Sequence, residues 1–189
     1  MADDVQFSIY FQVQVGSMID CSISIVNFNT RDMLAECIES VMKVTQGISY
    51  ELIVVDNASG DGSVEHIRKL FPSVKVIENS ENLFFTKASN QGLKASGGRY
   101  AITLNPDCYL KENTIGAMVK YMDGHMDVGA CGPTFLNPDG TLQSLGHRFP
   151  GLVFPFFQLL FINTAFPNNP VRRARDYTDN KLMEIDAMG

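Results

Sequence analysis

Asn27, Asn29, Asp56, Asn57, Asn82, Asn90, Asn105 and Asp107 are the residues whose types and positions could do chemistry in this sequence. Asn27-Phe28-Asn29 follows the apolar run 21–26, Asp56-Asn57 follows 51–55, Asn82 follows 74–77, and Asn90 lies within the next helical stretch. Asp107 follows the run 99–104 through Asn105 and Pro106. Carboxylates and amides gathered in one place can hold a divalent cation, bind a polar ligand or move a proton. Asp107 makes the sharpest case. Ala101, Ile102 and Leu104 suit a strand covered on both faces, and Pro106 cannot donate to a ladder, so pairing should end there. The carboxylate then stands just past the carboxyl end of a strand, the edge where open α/β sheets bind ligands. Asn and Asp also favour turns and caps on their own account. For Ser59, Asp61 and Asn113 that plainer explanation is preferred. The delivery of Asn or Asp by four successive strands to one edge argues for a ligand crevice.

The positioning elements follow from periodicity. Strands are expected over residues 21–27, 51–55, 74–77, 99–104 and 128–135. Helices are expected over 31–44, 63–71, 86–96 and 113–123. In the first helix Leu34, Cys37, Ile38, Val41 and Met42 recur at helical spacing. Thr30 is the expected N-cap there, and Ser63 or Asp61 that of the second helix. Pro72 stops the second helix and Gly97-Gly98 the third. This β-α-β-α order predicts an α/β fold: a mostly parallel sheet, right-handed crossovers and helices on both faces. Val5, Phe7, Ile9, Phe11, Val13 and Val15 alternate with mostly polar residues. Residues 1–17 read as an N-terminal extension that, if ordered, adds an edge strand.

At 189 residues the chain can bury one sizeable core. A net charge of −6 and the lack of a basic stripe argue against a nucleic-acid partner. Cys21, Cys37, Cys108 and Cys131 show no Cys-x-x-Cys spacing and read as reduced thiols of a cytosolic protein. The acidic start does not resemble a signal peptide. The most apolar stretch, residues 152–166, is interrupted by Pro155, Gln158 and Asn163. Neither Gly-x-Gly-x-x-Gly nor a P-loop occurs, which weakens a dehydrogenase or a P-loop NTPase. No Gly-x-Ser-x-Gly elbow occurs either. His66, His125 and His147 lack metal-ligand spacing.

Four segments, in order and spacing, resemble the family 2 nucleotide-sugar glycosyltransferases. Ser22-Ile23-Ser24-Ile25-Val26-Asn27-Phe28-Asn29 is similar to the family's first strand and its Tyr-Asn-type end. Glu51-Leu52-Ile53-Val54-Val55-Asp56-Asn57-Ala58-Ser59 resembles its second strand with the Val-Asp-Asn-x-Ser signature. Asn82-Leu83-Phe84-Phe85 through Asn90-Gln91-Gly92 resembles its Asn-x-Gly-Phe…Asn-x-Gly segment. Leu104-Asn105-Pro106-Asp107 resembles the Asn-Pro-Asp form of its DxD metal motif, the form of the rhamnosyltransferase-like branch.

The resemblance implies a GT-A (Rossmann-like) fold and transfer, with inversion, from a nucleotide-diphosphate sugar donor to a glycan or lipid-linked acceptor hydroxyl. It implies nucleotide-sugar binding by Val26, Asn27, Asn29, Asp56, Asn57, Asn82, Phe85, Asn90 and Asn105. Asp56 would meet the nucleobase, and Asp107 would bind Mg²⁺ or Mn²⁺ bridging the diphosphate. The family's glycine before Phe85 is Phe84 here, which either reshapes the sugar pocket or packs in the core. No residue matches the family's catalytic base, which is expected beyond Gly189; Glu184 and Asp186 are not assigned that role. The expected organisation is an extension (1–17), a nucleotide-sugar-binding domain (18–142) and the start of an acceptor-side region (143–189). A cytoplasmic location, with peripheral contact at the membrane face, is expected. The Phe-rich segment 149–166 could touch a membrane, but packing against a further C-terminal part is preferred. Arg172, Arg173 and Arg175 could face phosphates or lipid headgroups, or simply be solvated. Two other readings are a non-catalytic nucleotide-binding module of the same fold and a sugar nucleotidyltransferase. The latter would want a glycine-rich basic loop where Asn27-Phe28-Asn29-Thr30-Arg31 stands.

Overall fold

A computed structural model describes residues 8–11, 19–137, 140–141, 146–147, 159–166 and 176–177. The chain divides into two units, Met1–Pro133 and Thr134–Gly189. The first contains β1 (Ser8–Phe11), β2 (Cys21–Asn27), α1 (Arg31–Val44), β3 (Tyr50–Asp56) and α2 (Ser63–Leu70). It continues with β4 (Lys75–Glu78), α3 (Phe84–Ala95), β5 (Tyr100–Leu104) and α4 (Thr114–Gly124). The sheet order is β1-β5-β2-β3-β4. Strands β2 to β5 run parallel, and β1 joins β5 antiparallel as the expected edge strand.

This order places the helices. The steps from β2 to β3 and from β3 to β4 go the same way, so right-handed crossovers put α1 and α2 on one face, where they pack together. The step from β4 to β5 returns across β3 and β2, which puts α3 on the other face. Side chains alternate between the two faces. Ile53 and Val55 meet Ala88 of α3 in a buried cluster flanked by Val26, Ile77 and Ala95. Leu34, Cys37, Ile38 and Val41 are the buried apolar stripe of α1. Gly92 lets α3 lie close to the sheet, because a Cβ there would stand 1.8 Å from Ser24 Oγ and 3.3 Å from Val55 Cγ2.

Several local expectations are corrected. Residues 128–135 form no strand; Gly129 and Gly132 offer no side chain to pack and Pro133 no ladder donor. Thr30 is the N-cap residue of α1 but makes no side-chain cap. Its hydroxyl donates to Asn27 Oδ1 (2.6 Å), and Asp61 Oδ2 accepts from Arg31 N instead (2.9 Å). Asp61 Oδ1 accepts from Ser63 N at the start of α2 (3.1 Å). Asn113 caps α4 by accepting from Gly116 N (3.2 Å).

The second unit contains a two-residue antiparallel ladder between β6 (Gly146–His147) and β7 (Asp176–Tyr177) and a short helix α5 (Ile162–Ala165). Leu159, Leu160, Phe161 and Phe166 are exposed. Residues 149–158, Arg172, Arg173, Arg175, Glu184 and Asp186 lie outside the described residues. Among the described residues no helix is long and apolar enough to cross a membrane.

Candidate functional site

The carboxyl ends of β2 and β3 are in register, so Asn27 pairs with Asp56. Asn27 Nδ2 donates to Asp56 Oδ1 (2.7 Å) and Ser59 Oγ (3.0 Å). The Ser59 amide donates to Asp56 Oδ2 (2.9 Å), so each carboxylate oxygen has a donor. Asp56 is 1% exposed and Asn27 0%. Burying carboxylate oxygens away from water is costly unless they find such donors. The same groups tie the two loops together: Asn29 N donates to Ser59 Oγ (2.9 Å) and Gly60 N to Asn29 Oδ1 (2.8 Å). Asn29 and Ala58 hold positive φ, +55° and +63°. Asparagine tolerates that region; alanine has no such allowance. Asp56 is therefore the anchor of a braced rim.

A second network runs from this rim to α3. Asn57 is buried, and its Oδ1 accepts from Asn79 Nδ2 (3.0 Å) and Leu83 N (3.3 Å). Asn79 and Gln91 exchange side-chain hydrogen bonds, both 2.9 Å. Asn82 Oδ1 accepts from Phe84 N (2.8 Å). Phe84 has φ +60° and is 77% exposed. The core-packing alternative for Phe84 is thus overturned. A bulky residue held in this region costs about 1–3 kcal/mol and persists only where its surroundings impose it. Phe85 is 50% exposed. Asn90 is exposed on α3, and its side chain makes no hydrogen bond among the described residues.

β5 ends at Leu104, paired with Ile25, as Pro106 requires. Cys108 N donates to Asn105 O (3.2 Å) across a turn with Pro106 at its second position, where proline's fixed φ fits. Cys37 Sγ of α1 donates to the same carbonyl (3.6 Å). Cys37 and Cys108 are buried, and burial pushes the Cys108 thiol up to about 12 and raises Cys37 likewise. These are structural thiols. Asp107, at the tip of the turn, is exposed and engaged in no hydrogen bond among the described residues.

Among the described residues, no group of three or more His, Cys, Asp and Glu side chains could enclose a metal. Mg²⁺ or Mn²⁺ serving a phosphate ligand needs no such cage, since one or two carboxylates suffice beside phosphate oxygens and water. Asp107, with its lone pairs uncommitted, fits that demand.

Asn27 bonds Asp56 directly, Asn29 joins them through Ser59, and Asn57 N donates to Asn27 O (2.8 Å). Asn57 also holds the Leu83 amide, next to Asn82 in the chain, and no hydrogen bond ties Phe85 to this rim among the described residues. Val26 is a core side chain beside the Ile53–Val55–Ala88 cluster. Asn105 and Asp107 stand at the end of β5, on the other side of β2 from Asp56. The hydrogen-bonding roles of Asn79 and Gln91 have no signal in the sequence, where Thr30 reads as a helix cap and Ser59 as a turn former. Ser59 lay inside the Val-Asp-Asn-x-Ser signature, which was the available signal.

Residues 22–179 match the family model described as Glycosyl transferase family 2. An uncharacterized glycosyltransferase of Haemophilus influenzae is 24% identical over 182 residues, which cover 86% of this chain and 54% of that protein. An N-acetylglucosaminyl-diphospho-decaprenol L-rhamnosyltransferase of Mycobacterium tuberculosis is 24% identical over 130 residues, covering 63% of this chain and 42% of the relative. S. aureus TarS 1-349 in complex with UDP-GlcNAc is similar in fold, with a TM-score of 0.53 and 22% identity over 57% of this chain and 32% of that one. The expected α/β arrangement of GT-A type is therefore the one observed. The chain spans about half the length of the Haemophilus relative.

Proposed function

The chain belongs to glycosyl transferase family 2, and on that premise we propose that it moves a sugar from a nucleoside-diphosphate donor to a glycan or lipid-linked acceptor hydroxyl, with inversion. The observation that carries this reading is one sheet edge bearing both a braced polar rim and an uncommitted carboxylate. Asp56, Asn27 and Ser59 form the rim, and Asp107 stands in the turn after β5. The rim receives the nucleobase, with Asn29, Asn57 and Asn82 lining its approaches. Asn90, Phe85, Asn105 and the Val26 backbone complete the donor side in this proposal.

Asp107 would hold a divalent cation beside the donor's diphosphate. Bound there, such a cation would supply charge neutralisation for the leaving diphosphate. Asp107 fixes the position of that charge, and the Asn105–Cys108 turn fixes Asp107. The anomeric C–O bond to the diphosphate breaks through an oxocarbenium-like state as the acceptor oxygen attacks the opposite face and its hydroxyl proton passes to a general base, a role assigned to no residue of this chain. The Asn-Pro-Asp form of the motif and the mycobacterial relative support a rhamnosyltransferase-like branch, acting in polysaccharide assembly at the cytoplasmic membrane face.

Calorimetric titration with uridine, thymidine and guanosine diphosphates, with and without Mn²⁺, tests the reading. We expect one of them to bind in a Mn²⁺-dependent manner, and Asp107→Ala to abolish that dependence while leaving the fold intact. Binding that ignores both the metal and Asp107 would refute the assignment. Donor binding without transfer to any acceptor would favour a nucleotide-binding module of the same fold.

A further inference from the structure

We infer that Phe84 is a nucleobase-stacking residue, installed in this chain where the resembling family carries glycine; the inference rests on the nucleotide-sugar reading above. Its backbone occupies the left-handed region at φ +60°, which a phenylalanine adopts only under constraint. The constraints are visible at the residue and just before it. Leu83 N is held by Asn57 Oδ1 at 3.3 Å, and Phe84 N by Asn82 Oδ1 at 2.8 Å. The chain thus bears backbone strain at this point, yet the ring recovers nothing by burial, because 77% of the residue remains exposed. Strain and exposure together favour a ring held out for a ligand over one that packs the fold.

Strand order says which part of a donor the ring meets. Asp107 follows β5, whereas α3 starts after β4 on the far side of β2 and β3, roughly 14 Å away at ordinary strand spacing. The Asn57 bond further ties the start of α3 to the end of β3, beside Asp56. A donor anchored by its diphosphate at Asp107 therefore turns its nucleoside, not its sugar, toward Phe84. An aromatic face at that place stacks on a planar base whatever the base's hydrogen-bonding edge, as exposed aromatic side chains do on single-stranded nucleotides.

The test is calorimetric titration of the 189-residue chain and its Phe84→Leu and Phe84→Tyr variants in Mn²⁺. The ligands are the nucleoside diphosphate that binds the wild-type chain most tightly, its monophosphate and its sugar-bearing form. Leucine keeps the backbone demand and the apolar bulk but removes the aromatic face. Phe84→Leu should weaken all three ligands by a common factor of roughly 5- to 100-fold, and Phe84→Tyr should stay within about twofold of wild type. Unchanged affinity in Phe84→Leu overturns the inference, as does a loss confined to the sugar-bearing form. Both outcomes leave the parent reading standing. A wild-type chain that binds no nucleoside diphosphate overturns that reading and this one with it.

Discussion

Gly92 is the position where a single methyl group tests the packing most directly. In Gly92→Ala the new Cβ would stand 1.8 Å from Ser24 Oγ, 3.0 Å from Ser24 Cβ and 3.3 Å from Val55 Cγ2. The first distance is far inside contact, so α3 must lift from β2 and β3 or Ser24 must rotate. Overpacking of this kind costs about 1–3 kcal/mol. Replacing a helical glycine by alanine returns about 1 kcal/mol of propensity. A 1.8 Å approach puts the overpacking in the upper part of that range, about 2–3 kcal/mol, so the balance is a net loss of about 1–2 kcal/mol, which urea denaturation resolves as a lower midpoint at constant slope. Ser24 supplies the control. Its hydroxyl is buried and finds no hydrogen-bond partner among the described residues, so Ser24→Ala should be neutral or stabilising by up to about 1 kcal/mol. It also removes the atom at 1.8 Å. In the double variant the loss at Gly92 should shrink by about half or more, giving a favourable coupling in a double-mutant cycle. If Gly92→Ala is as stable as wild type, or if Ser24→Ala leaves its cost untouched, the close approach of α3 to β2 is wrong.

Other outcomes follow from the same geometry. Phe84→Gly should raise stability by about 0.5–1 kcal/mol, since relief of left-handed strain exceeds the glycine's unfolded-state entropy; thermal melting reads it. Asp56→Ala leaves the Ser59 amide and part of Asn27 unpaired inside the rim, so it should cost about 2 kcal/mol or more and abolish nucleotide binding, by urea denaturation and calorimetry. Asp20 is held down to about 2 by the Ser49 backbone amide and the Arg99 guanidinium. Its folded-state value lies below its ordinary one, so its contribution is present above about pH 4 and is lost as pH falls toward 2. Urea midpoints measured across that window should fall, and Asp20→Asn should show a smaller fall.

The parts of the fold that were legible in advance are those with local causes. The periodicity of Leu34, Cys37, Ile38 and Val41 places α1, and Pro106 ends β5, because each signal acts within a turn or two of chain. Residues 128–135 misled because Val128, Cys131 and Phe135 look strand-like, while Gly129, Gly132 and Pro133 between them deny both packing and pairing. The Thr30 hydroxyl was misassigned because its better partner, Asn27 Oδ1, becomes available only when the β2 loop folds against β3. Asn79 and Gln91 were missed for a related reason. A reciprocal amide pair has no period, and it exists only after β4 and α3 come together. At Phe84 the sequence showed a departure from a pattern, but only backbone geometry shows a bulky residue in glycine's conformation.

The antiparallel pairing of Ser8–Phe11 with β5 bears on how firmly Asp107 is held. Outermost strands of a sheet open first, exchanging their amide hydrogens through local fluctuations far below the global unfolding free energy. With β1 in place, β5 is bonded on both sides, to β1 and to β2. The strand that presents the carboxylate thus belongs to the slowly exchanging interior of the sheet. A segment far from Asp107 in sequence thereby damps the breathing of the edge on which a cation and a diphosphate would have to settle.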